Sequence, residues 1–401
     1  MIFAGEPSGD AVAAQLVAAL REESAAEGPD YSNDFQPLRA SIEPRFFGAG
    51  GPLMDAAGVE LAFDMTEHAV VGIAEPLKKY FQFRRLFNQL YRLALERQPD
   101  VIIGVDFSWF NSHFARVARR YVRSRRDWFH DWQPKIVRYV SPQVWASREG
   151  RAYDVARDYD LLLSIFPFEK EWYARRVPRL RVEFVGHPML DRFQGMERRK
   201  PEISEGHPLI LLLPGSRRDE LRRHLPVLAD AVKRIRSALP DARACIVLPN
   251  EPLAEQARAL GLPPQTELQV GSLPTALARA DLALAKSGTV TMECACFGVP
   301  TVTLYKASRI SYEIAKRLVN VDSIIMPNLL ANEEVFPEFI QDAATAGNIS
   351  RAALELLTNG ARRRSVKAKL SAIVDSLGGP GASRRAARAI LDLAQARQRG
   401  Q

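Results

Sequence analysis

Residues 281–306, DLALAKSGTVTMECACFGVPTVTLYK, constrain the fold more than any other stretch. The apolar run through Leu282 and Leu284 has the composition of a strand buried on both faces. Ser287-Gly288-Thr289 turns the chain and puts a Ser or Thr where a helix N-cap belongs. A helical segment through Met292 and Cys296 follows, Gly298 suits a left-handed stop, and the β-branched residues of 299–305 read as the next strand. Strand, turn, helix, strand is the βαβ unit of a parallel sheet. In such a sheet the turn lies at the carboxyl edge, where ligands bind. Small residues there let a phosphate reach free N–H groups, and Glu293, one turn on, is placed to hold two ribose hydroxyls. The same residues also read as an ordinary βαβ unit with a well-capped helix and no ligand.

The pattern recurs along the chain. VIIGV (Val101–Val105) is a buried strand with Asp106 at its carboxyl end, where a carboxylate points toward a ligand crevice. Burial beside Phe107, Trp109 and Phe110 would raise its pKa toward that of a useful general base; an N-cap for the next helix is the plainer alternative. GEPSGD near the start puts Ser8 at a helix N-cap, with Glu6 and Asp10 beside it. Two carboxylates there would repel a phosphate, so the turn suits sugar hydroxyls better, unless both acids only satisfy the helix dipole. The strand before it, residues 2–4, is short, which points to a trimmed start or a late initiation codon. In the second half, LILLL runs into Pro214-Gly215, and Ser216 with Asp219 resembles a capping box. Arg217 and Arg218 then fall in the first helical turn, where a cation opposes the dipole by about 0.3–1 kcal/mol, a placement that makes sense if an anion binds there. Strands are also expected at 136–140, ahead of Gln143, and at 161–165, ahead of Glu169.

With 401 residues, two domains are expected, with 191–207 as the linker and no repeat period that would suggest a solenoid. No apolar run is long enough to span a membrane, and the first residues lack the basic and apolar regions of a signal peptide. Cys245, Cys294 and Cys296 lie in predicted strand or helix rather than at ligand spacing, and read as buried thiols in a reducing compartment. The net charge of +8 favours an anionic partner: nucleic acid, a membrane surface or a phosphorylated substrate. Residues 69–95 mix Val70, Val71, Ile73, Leu77, Phe81, Phe83, Leu86, Phe87 and Tyr91 with Lys78, Lys79, Arg84, Arg85 and Arg92, which suits either an interfacial helix or a core helix with a solvated basic face. The arginine-rich, aromatic stretch 115–134 fits a nucleic-acid surface or a membrane-facing rim.

Ten motifs now stand in one order: GEPSGD, FGAGGPLM, MTEHAVVGIAE, DVIIGVDFSWFN, YVSPQVWA, FPFEKEWY, VGHPMLD, LLPGSR, SGTVTMEC and MPNLLA. Through them the chain resembles the lipid-A-disaccharide synthases, from Ala4 to about Ala331 with a matching helical tail. The resemblance implies an α/β fold of two facing Rossmann-like domains with parallel sheets (the GT-B plan). These would be 1–190 for the acceptor and membrane and 208–358 for the UDP-sugar donor, with C-terminal helices at 359–401 packing back on the first domain or on a partner subunit. It further implies inverting β(1→6) transfer from UDP-2,3-diacylglucosamine to 2,3-diacylglucosamine 1-phosphate, with no metal and no other cofactor. Such enzymes lie in the cytoplasm, peripheral on the anionic inner membrane, and often dimerise through their C-terminal helices. Asp106 matches the family's strand-end aspartate and becomes the first choice of base, with Glu6 and Asp10 as alternates. Gly215, Ser216, Arg217 and Ser287-Gly288-Thr289 would hold the diphosphate and Glu293 the ribose, with Asn328 also on the donor side. Ser8, Asn111 and Gln143 fall on the acceptor side. Two departures touch that side: Trp109 stands where the family usually has aspartate, and 122–134 is a long insertion. The rival readings are another UDP-GlcNAc-type transferase or epimerase of the same fold, and a nonenzymatic nucleic-acid-binding protein.

Overall fold

The structure, a computed structural model, describes residues 1–26, 44–66, 76–125, 131–196, 207–309, 312–313, 316 and 321–398. Val70, Val71, Ile73, most of the polar loop expected at 24–44, residues 126–130 of the insertion and 197–206 of the expected linker lie outside the described residues. The chain divides into two compact units, Met1–Arg192 with Leu377–Gln401, and Phe193–Ser376.

The first unit carries a seven-stranded parallel sheet in the order β3-β2-β1-β4-β5-β6-β7. Its strands are β1 Ile2–Ala4, β2 Phe47–Gly50, β3 Glu60–Asp64, β4 Val101–Val105, β5 Lys135–Tyr139, β6 Leu161–Ser164 and β7 Arg181–Phe184. The second unit has six parallel strands in the order β10-β9-β8-β11-β12-β13. These are β8 Leu209–Leu213, β9 Arg243–Leu248, β10 Thr266–Val270, β11 Leu282–Lys286, β12 Thr301–Tyr305 and β13 Glu338–Ile340. Strand order reverses between β1 and β4 and again between β8 and β11, so each unit has one topological switch point at its carboxyl edge. Short β1 is central: it hydrogen-bonds β2 and β4, and Gly48 of β2 approaches so closely that a Cβ there would sit 1.8 Å from the Ile2 carbonyl oxygen.

The helix Pro76–Arg97 resolves two readings of its own sequence. Leu86 and Leu90 are buried, Phe87 packs edge-on against Phe110 and Phe114, and Phe83 and Tyr91 lie against the same core. The apolar residues recur at helical spacing and face inward, so over its described side chains this is a core helix with Arg84, Arg85 and Arg92 on a solvated face. The interfacial reading fails for Phe83, Leu86, Phe87 and Tyr91. In the arginine-rich helix Ser108–Ser124, Arg119 pairs with Asp160 at 2.5 Å, and Arg116 lies 3.5 and 3.6 Å from Asp154 and Asp158. Those cations are neutralised within their own unit, which removes part of the charge a nucleic-acid surface would need.

The C-terminal helices, expected as one segment, separate. Gly360–Ser376 stays with the second unit, while Ala382–Gln398 returns to the first and packs along the helix Pro7–Ala26. Asp191 accepts hydrogen bonds from the N–H groups of Gly381 (2.5 Å), Ala382 (3.2 Å) and Ser383 (2.9 Å), capping that last helix. Arg384 and Arg388 pair with Glu23 at 3.2 and 2.6 Å. All three cysteines are buried thiols, and burial pushes Cys245 up to about 11 and Cys294 to about 12.

Candidate active site

At the first switch point, β1 leads into Gly5-Glu6 and β4 into Asp106-Phe107. Gly5 of GEPSGD is required by this juxtaposition, since a Cβ there would lie 2.4 Å from the Phe107 ring; Gly9 packs beside Asp106, where a Cβ would make only ordinary contact with the Asp106 Cβ at 3.6 Å. Asp106 takes a left-handed φ of +35°, a conformation Asp tolerates better than most residues. Its N–H donates to the Tyr139 carbonyl of β5 at 3.1 Å. Burial raises its carboxyl from 3.8 to about 6; the positive charge of Arg138 opposes this, and the negative charge of Glu6 adds to it. Glu6 and Asp106 therefore share one electrostatic environment.

Asp10 is different. Its Oδ1 accepts from the N–H groups of Gly51 (2.8 Å) and Met54 (3.1 Å), and its Oδ2 from Leu53 (3.0 Å). Gly51 permits the approach, since a Cβ there would meet Asp10 Oδ2 at 2.7 Å. The buried Asp10 carboxylate thus anchors the start of the helix Pro52–Ala56. Ser8 does not cap its helix: the helix begins one residue earlier, at Pro7, whose missing N–H costs nothing there, and Ser8 sits exposed in the first turn.

Asn111 is 1% exposed. With its oxygen turned toward β4, its amide accepts from the N–H groups of Val105 (3.2 Å) and Phe107 (3.3 Å) and donates to the Phe107 carbonyl (3.1 Å). It brackets Asp106 on both sides and holds the arch on which that residue stands. Gln143 is exposed on the turn after β5. Trp109 is 64% exposed at the start of the helix Ser108–Ser124 and stacks on His113, 5.8 Å between centroids and 7° from parallel.

Two further groups had no role assigned from sequence: Arg138 was not named there, and Glu169 was placed only after its strand. Arg138, 1% exposed in β5, donates to Ser108 Oγ (2.9 Å), the Val140 carbonyl (3.2 Å), the Ser108 carbonyl (3.4 Å) and Tyr159 Oη (3.4 Å). Glu169, fully buried, accepts from Trp145 Nε1 (3.1 Å) and the Phe166 N–H (3.3 Å). Burial lifts its carboxyl to about 7 against those hydrogen bonds. An arginine inside an otherwise apolar strand, and a glutamate at the third helical position after Phe166-Pro167, were the available signals.

At the second switch point, β8 ends in Pro214-Gly215-Ser216-Arg217 and β11 in Ser287-Gly288-Thr289. The capping box expected from Ser216 and Asp219 does not form. Arg217 is the N-cap, without a side-chain cap, and the Ser216 N–H donates to Glu220 Oε2 at 3.1 Å. Gly215, at φ +125°, makes room for that carboxylate: a Cβ would lie 2.5 Å from Glu220 Oε2. The Arg217 side chain is 73% exposed and only 3.8 Å from Glu220 Oε1. Thr289 occupies the N-cap without a side-chain bond and is exposed. Ser287 is buried, its N–H bonded to the Leu304 carbonyl at 2.9 Å, so it ties the turn to β12 rather than capping a helix. Glu293 is half-buried one turn into the helix Val290–Cys296, and Gly298 stops that segment at φ +63° as expected. Asn328 is engaged internally: Nδ2 donates to the Phe336 carbonyl (3.0 Å), and Oδ1 accepts from the Val335 and Phe336 N–H groups (2.9 Å each). Those three bonds make the amide a staple of the fold.

Two Rossmann-like units of parallel strands, each with its glycine-bearing turns at the switch point, define the GT-B class of sugar-nucleotide fold. Solved structures agree: UDP-GlcNAc 2-epimerase from Neisseria meningitidis, crystallised with UDP-GlcNAc, superposes with a TM-score of 0.58 at 12% identity, over 95% of this chain and 97% of that one. MurG from Acinetobacter baumannii does so at 0.53 and 14%, over 98% of both chains. Within that class the chain belongs to the lipid-A-disaccharide synthetase family, whose profile matches residues 1–391. It is 35% identical to the lipid-A-disaccharide synthase of Geobacter sulfurreducens over 98% of this chain and 96% of that one. Against the lipid-A-disaccharide synthase of Solibacter usitatus the figures are 36%, 98% and 97%. It is an enzyme, a glycosyltransferase.

Proposed function

We propose that the chain transfers 2,3-diacylglucosamine from its UDP derivative to the 6-hydroxyl of 2,3-diacylglucosamine 1-phosphate, with inversion, giving a β(1→6) disaccharide and UDP. The observation that carries the mechanism is Asp106, at the first switch point with its carboxyl raised to about 6. Such a group is largely ionised near neutral pH yet basic enough to take a proton. Asp106 accepts the acceptor's hydroxyl proton as that oxygen attacks the donor anomeric carbon. The bond from that carbon to the diphosphate breaks, and its electron pair leaves with UDP. Burial keeps Asp106 basic, Arg138 opposes that, and Glu6 adds to it. Asp10, committed to three backbone donors, is the weakest of the three candidate bases.

On the donor side, Gly215, Ser216, Arg217 and the Ser287-Gly288-Thr289 turn receive the diphosphate, whose charge grows as the bond breaks. Glu293 grips the ribose. The exposed Arg84, Arg85 and Arg92, with the net charge of +8, support peripheral contact with an anionic membrane; among the described residues no helix is long and apolar enough to cross one. Incubation with both acylated substrates, followed by mass spectrometry, tests the reaction: a disaccharide phosphate is expected, and intact substrates with no product overturn the reading.

A further inference from the structure

Lys286 is the last residue of β11, immediately before the turn assigned to the donor diphosphate. Four buried residues precede it in the strand, and its own side chain keeps 20% exposure. Its ammonium lies 3.3 Å from Glu220 Oε1 and 5.8 Å from the centroid of the Tyr305 ring, two contacts that fix a side chain otherwise free to rotate. It also covers the turn. A Cβ built on Gly288 would meet Lys286 Nζ at 3.0 Å, and the next nearest atoms are Lys286 Cε and Cδ at 3.8 and 3.9 Å. A group approaching Gly288 from that side therefore meets the lysine ammonium.

Glu220 sits in the middle of this cluster. Oε2 takes the Ser216 N–H at 3.1 Å, while Oε1 faces Lys286 at 3.3 Å and Arg217 at 3.8 Å. One carboxylate between two cations leaves an excess positive charge at the carboxyl edge of β8 and β11. We infer that Lys286 binds the diphosphate of the sugar nucleotide, oriented by Glu220, an assignment that rests on the donor-site reading above. Arg217, exposed and loosely paired, supplies a mobile second cation; Lys286 supplies a fixed one. A fixed ammonium stabilises the leaving diphosphate without reorganising as charge develops.

Calorimetric titration with UDP, and NMR titration with uridine, test this on wild type, Lys286→Met and Lys286→Arg. Lys286→Met keeps the length of the side chain and removes its charge. It is expected to weaken UDP binding by about tenfold or more, the scale of one lost charge-assisted hydrogen bond, with uridine binding unchanged. Lys286→Arg is expected to recover most of the UDP affinity. Equal UDP affinity in wild type and Lys286→Met overturns the assignment, as does a parallel loss of UDP and uridine, which would mark Lys286 as a support of the turn only. If wild type itself does not bind UDP, the donor-site reading fails instead.

Discussion

Replacing Asp106 by Asn removes one charge and changes little else. The two side chains have the same shape, and Asn tolerates the φ of +35° at this position as Asp does. The carboxyl is raised from 3.8 to about 6, chiefly by burial, so ionising it in the folded protein is costly. At about 1.4 kcal/mol per pH unit the cost is about 3 kcal/mol, and partial solvent exposure trims that to about 1–2 kcal/mol. Asp106→Asn is therefore expected to abolish transfer and to raise the Tm by about 3–6 °C near neutral pH. The gain has a defined window. A raised carboxyl favours the protonated folded state, so the wild-type penalty is full above about pH 6 and vanishes below the unfolded value near 3.8. The Tm difference should close over that interval. Thermal unfolding by circular dichroism at several pH values, alongside a transfer assay, gives both readouts. Retained transfer refutes Asp106 as the base. Lost transfer with an unchanged or lowered Tm at neutral pH refutes the electrostatic origin of its basicity.

Three further outcomes follow from the same geometry. The kcat/KM of wild type should fall about tenfold per pH unit below an apparent pKa near 6, and removing the Arg138 charge (Arg138→Met) should move that limb to higher pH, because the lost cation no longer favours the carboxylate; a limb that does not move refutes the coupling. Asp10→Ala leaves three backbone donors without their carboxylate and should lower stability by about 3 kcal/mol in urea unfolding, with UDP affinity intact; a neutral effect would mean that these bonds do not hold the start of the helix Pro52–Ala56. Gly5→Ala drives a Cβ into the Phe107 ring beside Asp106 and should cut kcat at least tenfold with little change in UDP affinity; wild-type kcat would mean that the Gly5–Phe107 packing does not position the base.

Local chemistry made much of this protein legible in its sequence. Apolar runs such as LILLL and VIIGV, each ending in a glycine-bearing or acidic turn, specify parallel strands with polar groups at their carboxyl ends, because burial on both faces leaves only the strand end free for chemistry. The spacing of Leu86, Leu90 and their aromatic neighbours likewise contained the core helix, although the same residues suited a lipid surface until their packing was seen. What sequence left undivided were the polar residues of the turns. Ser8, Asp10, Asn111, Asn328 and Asp106 are all small polar groups near helix starts or strand ends, and nothing local separates a staple from a base.

Tertiary structure divides them by their partners. Asp10 meets donors more than 40 residues away, and Asn328 meets a segment that loops back on it; both side chains are held by backbone groups. Asp106 has its backbone held by Asn111 and Tyr139, while its carboxyl lies in a buried environment balanced by Arg138 and Glu6. Hydrogen-bond saturation and desolvation depend on what the fold packs around a side chain, whereas strand and turn propensity depend on its neighbours in the chain. The sequence by itself determined two parallel sheets, their glycine turns and the family; only the packing decided which polar side chains at the strand ends are held by backbone donors and which carboxyl is buried beside Arg138 and Glu6.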